Sequence, residues 1–149
     1  MRTSAMTLAV VLLAAGGVAR EPGQDLPPGV RVVAPSDLKW AASPRAPGVL
    51  IAALVGDASK PGPYIMRAKY PANTVNGPHH HPVDEEITVV SGTWYIGHGL
   101  TMDPAKATAL VPRSFVFEPA KTWHWTFTKS EAVEVEIHGV GPRANVYAK

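Results

Sequence analysis

From residue 49 onward the apolar residues come in short runs or strict alternation, and turn-forming residues interrupt them every few positions. That is the pattern of a β-sandwich or barrel, and it argues against a helical domain. Strands are predicted near Val49 to Val55, Tyr64 to Tyr70, Glu86 to Ile96, Ala107 to Val111, Phe115 to Glu118, His124 to Thr128 and Ala132 to His138. Gly56-Asp57, Lys60 to Pro63, Pro71 to Thr74, Ser91-Gly92 and Lys129 to Glu131 supply the breaks, with residue types suited to tight turns. Alternation is plainest near the end, where Val133, Val135 and Ile137 share one face and Glu134, Glu136 and His138 the other. Only Pro104 to Lys106 suggests a helical turn. Residues 20 to 48 read differently: Pro22, Pro27, Pro28, Pro35, Pro44 and Pro47 preclude long helices and predict an extended arm, with one edge strand at Val30 to Val33. No internal repeat, heptad or low-complexity tract is present.

The first residues carry a third pattern. Arg2 precedes an uncharged run, Ala5 to Ala15, as long as the apolar part of an export signal and too short to cross a bilayer. Gly17-Val18-Ala19 places small residues where signal peptidase needs them. A signal peptide is therefore predicted over residues 1 to 19, followed by a Pro-rich arm over residues 20 to 48 and a folded domain over residues 49 to 149. The expected location is periplasmic or secreted. Cleavage after residue 19 of the 149 leaves 130 residues, enough for one domain. It also removes one cation, so the formal charge falls from +2 to +1, and the remaining Lys and Arg are scattered singly. Neither nucleic acid nor, once the signal is gone, a membrane is an expected partner. The chain has no cysteine, which excludes disulfides, thiol nucleophiles and thiolate metal sites.

Candidate chemistry is concentrated in Pro78-His79-His80-His81-Pro82-Val83-Asp84-Glu85-Glu86, which holds three of the six histidines. On extended backbone His79 and His81 project to one side while His80 points away. Glu85 has the same parity and adds a hard oxygen to two neutral nitrogens, a set that suits a divalent ion. An isolated run of three histidines would ordinarily be a solvated cluster. The acidic residue and the distant His124 change that reading.

These residues resemble the cupin superfamily, whose first motif runs Gly, five residues, His-x-His, three or four residues, Glu, six residues, Gly. The chain keeps His79, His81, Glu85 and Gly92 at those spacings, with Asn73 in the leading Gly place. The second motif runs Gly, five residues, Pro-x-Gly, two residues, His, three residues, Asn. Of it only Pro119 and His124 remain, and Arg113, Lys121 and Thr128 stand at the Gly, Gly and Asn places. The stretches HHHPVDEEITVVSGT and IHGVGP look like those of small exported cupins of undefined activity. The resemblance covers roughly Tyr64 to His138. It implies an all-β fold, a small antiparallel double-stranded β-helix, holding one divalent transition metal, Fe, Mn, Ni, Cu or Zn, through His79, His81, Glu85 and His124.

Four such ligands leave two positions of an octahedral ion open, so a metal-dependent enzyme acting on a small oxygenated molecule is expected. Dioxygenase-like oxidative cleavage, isomerisation and decarboxylation or lyase chemistry all remain open, and a non-catalytic module binding a metal or small ligand is the alternative. Glu86 and His138 are candidates to orient a ligand or meet substrate. His98 reads as a loop residue. Trp123, Trp125 and Phe127 alternate away from His124, and their default role is packing between sheets or protomers; the Pro-rich arm of residues 20 to 48 and the face of Trp123 and Trp125 suggest a homodimer. The ion is expected to leave near or somewhat below pH 6.5, as imidazoles protonate.

Overall fold

The structure, a computed structural model, describes residues 26–44 and 46–149. The predicted signal peptide lies outside them. Residues 26–37 belong to a unit separate from Leu38–Lys149. They contain one 3-10 turn, Pro35–Asp37, closed by the Asp37 carboxylate accepting from Ala34 N at 3.3 Å. The edge strand expected at Val30 to Val33 does not form. Those residues pair with no strand and stay exposed, Val32 by 57%, so no buried face rewards extended pairing there.

The unit from Leu38 onward is built from β1 (Ala41–Ala42), β2 (Leu50–Val55), β3 (Gly62–Tyr70), β4 (Val75–His80), β5 (Glu85–Ser91), β6 (Trp94–His98), β7 (Thr108–Leu110), β8 (Phe115–Glu118), β9 (His124–Phe127), β10 (Val133–Gly141) and β11 (Val146–Tyr147). One sheet of six strands runs β1-β2-β3-β10-β5-β8, and one of five runs β11-β4-β9-β6-β7. Every pair is antiparallel, as a double-stranded β-helix requires. Period-two patterning explains which face is inside. Tyr64, Met66, Ala68 and Tyr70 of β3 are buried, as are Val133, Val135 and Ile137 of β10, and they pack with Ile87, Val89, Trp94 and Ile96. Burying a side chain of this size contributes about 1.5–3 kcal/mol. On the outer face Arg67 bridges Glu134 and Glu136 at 2.8 and 2.6 Å.

The single strand expected over Glu86 to Ile96 is two strands in different sheets, because the turn at Gly92 carries the chain from one to the other. Gly92 has φ +73°, and a Cβ there would lie 3.2 Å from Val133 Cα and against the Ala132 carbonyl, so only glycine fits. The degenerate motif positions keep the backbone that glycine would give. Asn73, Arg113 and Lys121 all sit in the left-handed region, at φ 58°, 75° and 64°. Thr128 closes the turn before β4: its hydroxyl donates to Pro71 O at 2.6 Å and accepts from Thr74 N at 2.9 Å.

Candidate metal centre

Pairing of β4 with β9 builds the centre. The register shifts between Asn76 and His79, where Gly77-Pro78 interrupts the ladder, and the shift sets His79 opposite His124. His81 follows just beyond the strand. The three rings lie 4.3 Å (His79–His124), 5.0 Å (His79–His81) and 5.1 Å (His81–His124) apart, and one nitrogen of each lies within 4.8 Å of the others. All three side chains are buried.

Hydrogen bonding decides which nitrogens face inward. Nδ1 of His79 meets Gly77 O at 2.7 Å, Nδ1 of His81 meets Ala144 O at 2.8 Å, and Nδ1 of His124 meets Thr122 O at 3.1 Å. A carbonyl only accepts, so each Nδ1 carries the proton and each neutral ring is left with its lone pair on Nε2. Burial, then the neighbouring His124, pushes His79 down to about 3, and burial, then the Arg143 charge, does the same to His81. Burial also lowers His124, against the opposing pull of the Glu118 carboxylate. Three neutral imidazoles with convergent lone pairs are a donor set for a divalent transition metal.

Glu85 lies beside the triad, against His81, though it is not among the groups whose ligand atoms all lie within 4.8 Å of one another. Its Oε2 lies 3.3 Å from His81 Nε2, while Oε1 accepts from Tyr64 Oη at 3.1 Å and from Arg143 Nε. A lone pair facing a carboxylate oxygen is repulsive unless a cation serves both. Here Arg143 Nη2 does so, at 3.4 Å from His81 Nε2 and 3.5 Å from Glu85 Oε2. Burial opposes the Arg143 charge, but Glu85 outweighs it and the guanidinium stays protonated. Burial, then the Glu85 charge, raises the Tyr64 phenol, so Tyr64 remains a donor. The cavity among these groups measures about 10 Å³, the space of one water-sized sphere. The hydroxyl of Thr126, which also lines it, finds no partner among the described residues. The residues present therefore fit a single ion.

Of the residues expected from sequence, His79, His81 and His124 converge, and Glu85 adjoins His81. His80 turns away and packs edge-on against Trp123, with ring centroids 4.6 Å apart. Glu86 and His138 lie opposite each other on the outer face of the six-stranded sheet, where His138 Nε2 bonds Glu136 Oε1 at 2.9 Å, and neither touches the cluster. His98 is not a loop residue. It ends β6 opposite His124 and bonds the buried Glu118 at 2.8 Å. Trp125 is 1% exposed in this chain, so it offers no bare aromatic patch to a second protomer.

Sequence reasoning missed Tyr64, Glu118, Arg143 and Tyr147. Parity with Met66, Ala68 and Tyr70 marks Tyr64, and parity with Val116 marks Glu118, which pairs with Glu85 across β5 and β8. Nothing local marks Arg143 or Tyr147. The first meets Glu85 across 58 residues, and the second packs its ring 5.3 Å from His79 and donates to Asn76 Oδ1 at 3.0 Å.

Comparison with solved structures places this architecture. The chain is similar to the polyketide cyclase RemF from Streptomyces resistomycificus, with TM-score 0.66 and 17% identity over 80% of this chain and 87% of that one. It is similar to the DMSP lyase DddQ from Ruegeria pomeroyi, with TM-score 0.61 and 17% identity over 76% of this chain and 62% of that one. KdgF from Halomonas sp. gives TM-score 0.56 and 16% identity over 72% and 90%. At such identities the likeness concerns the fold alone. No curated protein sequence matches the chain. Residues 29–144 match the ChrR cupin-like domain, and with two antiparallel sheets enclosing a buried histidine triad the chain belongs to that family, within the cupin superfamily.

Proposed function

We propose that this chain is a divalent-metal-dependent enzyme that acts on a small oxygenated molecule by isomerase or lyase chemistry. The observation that carries the reading is the convergence of three buried Nε2 lone pairs beside Glu85, Tyr64 and Arg143. His79, His81 and His124 would hold the ion, with Glu85 Oε2 as a fourth ligand. A bound divalent ion supplies Lewis acidity toward a substrate oxygen. The chain's own contribution is positioning. Tyr64 and Arg143 line a neighbouring cavity of about 460 Å³, within the size range of small-molecule sites, and the Arg143 guanidinium is a donor able to orient a substrate oxygen there. The names of the similar structures, a polyketide cyclase and a DMSP lyase, support small-molecule turnover. A second reading, a module that binds without turnover, is favoured by one observation: the Arg143–Glu85 pair stands between the large cavity and the small one.

Tag-free protein should carry about one first-row divalent ion per chain by elemental analysis. His79→Ala, His81→Ala and His124→Ala should each lower that content at least tenfold, and His80→Ala should leave it intact. Loaded protein incubated in D2O with small keto and hydroxy acids should then place deuterium beside the carbonyl or release an elimination product. Dioxygen uptake instead would move the assignment to oxidative cleavage. Full loading with no reaction leaves the binding module, and no affinity for any divalent ion refutes both the enzyme and the metal site.

A further inference from the structure

Arg143 lines two cavities at once, the small one among the histidines and the large one that also touches Tyr64, Ile51, Ala53 and Met66. It is a buried guanidinium with 11% of its side chain exposed, and Glu85 and Asn145 already take its Nε and Nη1. Its backbone N donates to Ala58 O at 2.7 Å, which fixes the segment against the rim of the large cavity. Most of the remaining wall of the large cavity is apolar; Ser43, Ser59 and the Asp57 carboxylate, which is paired with Lys60 at 3.3 Å, also line it.

Charge then limits the occupant. The formal charges beside the histidines, Arg143 against Glu85 and Glu118, sum to one negative charge. Adding a divalent ion leaves one positive charge in a buried site, which is costly without a compensating anion. The ion would also repel the guanidinium whose Nη2 now lies 3.4 Å from His81 Nε2, driving it toward the large cavity. We propose that Arg143 is the recognition residue for a small monocarboxylate bound in the 460 Å³ cavity beside the metal centre. The inference deepens the metal-enzyme reading and rests on it for the charge count. Linkage makes the effect reciprocal: the carboxylate tightens the ion, and the ion tightens the carboxylate.

Calorimetry with zinc, butyrate and its uncharged analogue butyramide tests this. Zinc-loaded wild type should bind butyrate and not butyramide, and saturating butyrate should tighten zinc about tenfold. Arg143→Gln should keep zinc while losing butyrate affinity at least tenfold, and Arg143→Lys should recover part of it. In metal-free protein Glu85→Gln should bind butyrate more tightly than wild type, because Arg143 is released. Equal butyrate binding by wild type and Arg143→Gln, or equal binding of butyrate and butyramide, would overturn the proposal. If wild type takes up no zinc, the metal reading fails, and the metal-free Glu85→Gln comparison still decides whether Arg143 recognises carboxylate. Should that variant not fold, the comparison of wild type with Arg143→Lys decides it.

Discussion

At the scale of single residues, the centre depends on keeping imidazoles neutral where water cannot stabilise their charge. His79 and His81 titrate near 6.5 in an unfolded chain and at about 3 in the folded one. Between those values the unfolded chain binds more protons than the folded chain. Stability is therefore complete above pH 6.5 and declines as pH falls from there toward 3, by up to about 1.4 kcal/mol per pH unit for each histidine. Urea midpoints of the metal-free protein should fall steadily from pH 7 to pH 5, and a constant midpoint would contradict the burial argument. The same burial bears on the release of an ion, expected near or somewhat below pH 6.5. The lone pairs persist well below that value while the fold lasts, so release in acid should coincide with unfolding rather than precede it.

At the scale of elements, three turns have the backbone of glycine without the residue. Lys121 is the most telling, because its N–H donates to His81 O at 2.7 Å and so ties the turn before His124 to the turn after His81. Lys121→Gly removes the steric cost of φ 64° but adds unfolded-chain entropy, so it should change stability by less than about 1 kcal/mol. Lys121→Val puts a branched Cβ in that conformation and should cost about 1–3 kcal/mol, read by thermal melts, with reduced metal content. Gly139 offers a parallel case: a Cβ there would lie 2.6 Å from the Tyr64 hydroxyl that bonds Glu85. Most strands were legible because one face of each is buried and alternation survives in Tyr64 to Tyr70 and Val133 to Ile137. β4 was not, because Gly77 and Pro78 mask a strand whose ladder slips there. His79, His81 and Glu85 were legible through parity. Arg143 was not, since its place depends on a contact that only the closed barrel creates.

At the scale of the whole molecule, the described residues that build the site lie between Ser43 and Tyr147. The buried hydrophobic cluster runs from Ala46 to Ile137, and the residues that touch the centre run from Tyr64 to Tyr147. Of the two tryptophans behind the expectation of a homodimer, Trp125 is covered within the chain while Trp123 is only half-buried. Export is a separate proposal, motivated by Arg2, the run from Ala5 to Ala15 and Gly17-Val18-Ala19. If these residues only address the chain, removing residues 1 to 19 takes away no described core side chain and no member of the centre. The shortened protein should then melt within about 2 °C of the full chain, since a loss of 1 kcal/mol would move a domain of this size by roughly 4 °C or more. It should also bind the same amount of zinc. The native protein should start at Arg20 on N-terminal sequencing. A melting point lowered by well over that margin would mean that the first residues contribute to the fold, and retention of Met1 on protein from the native source would remove the export proposal.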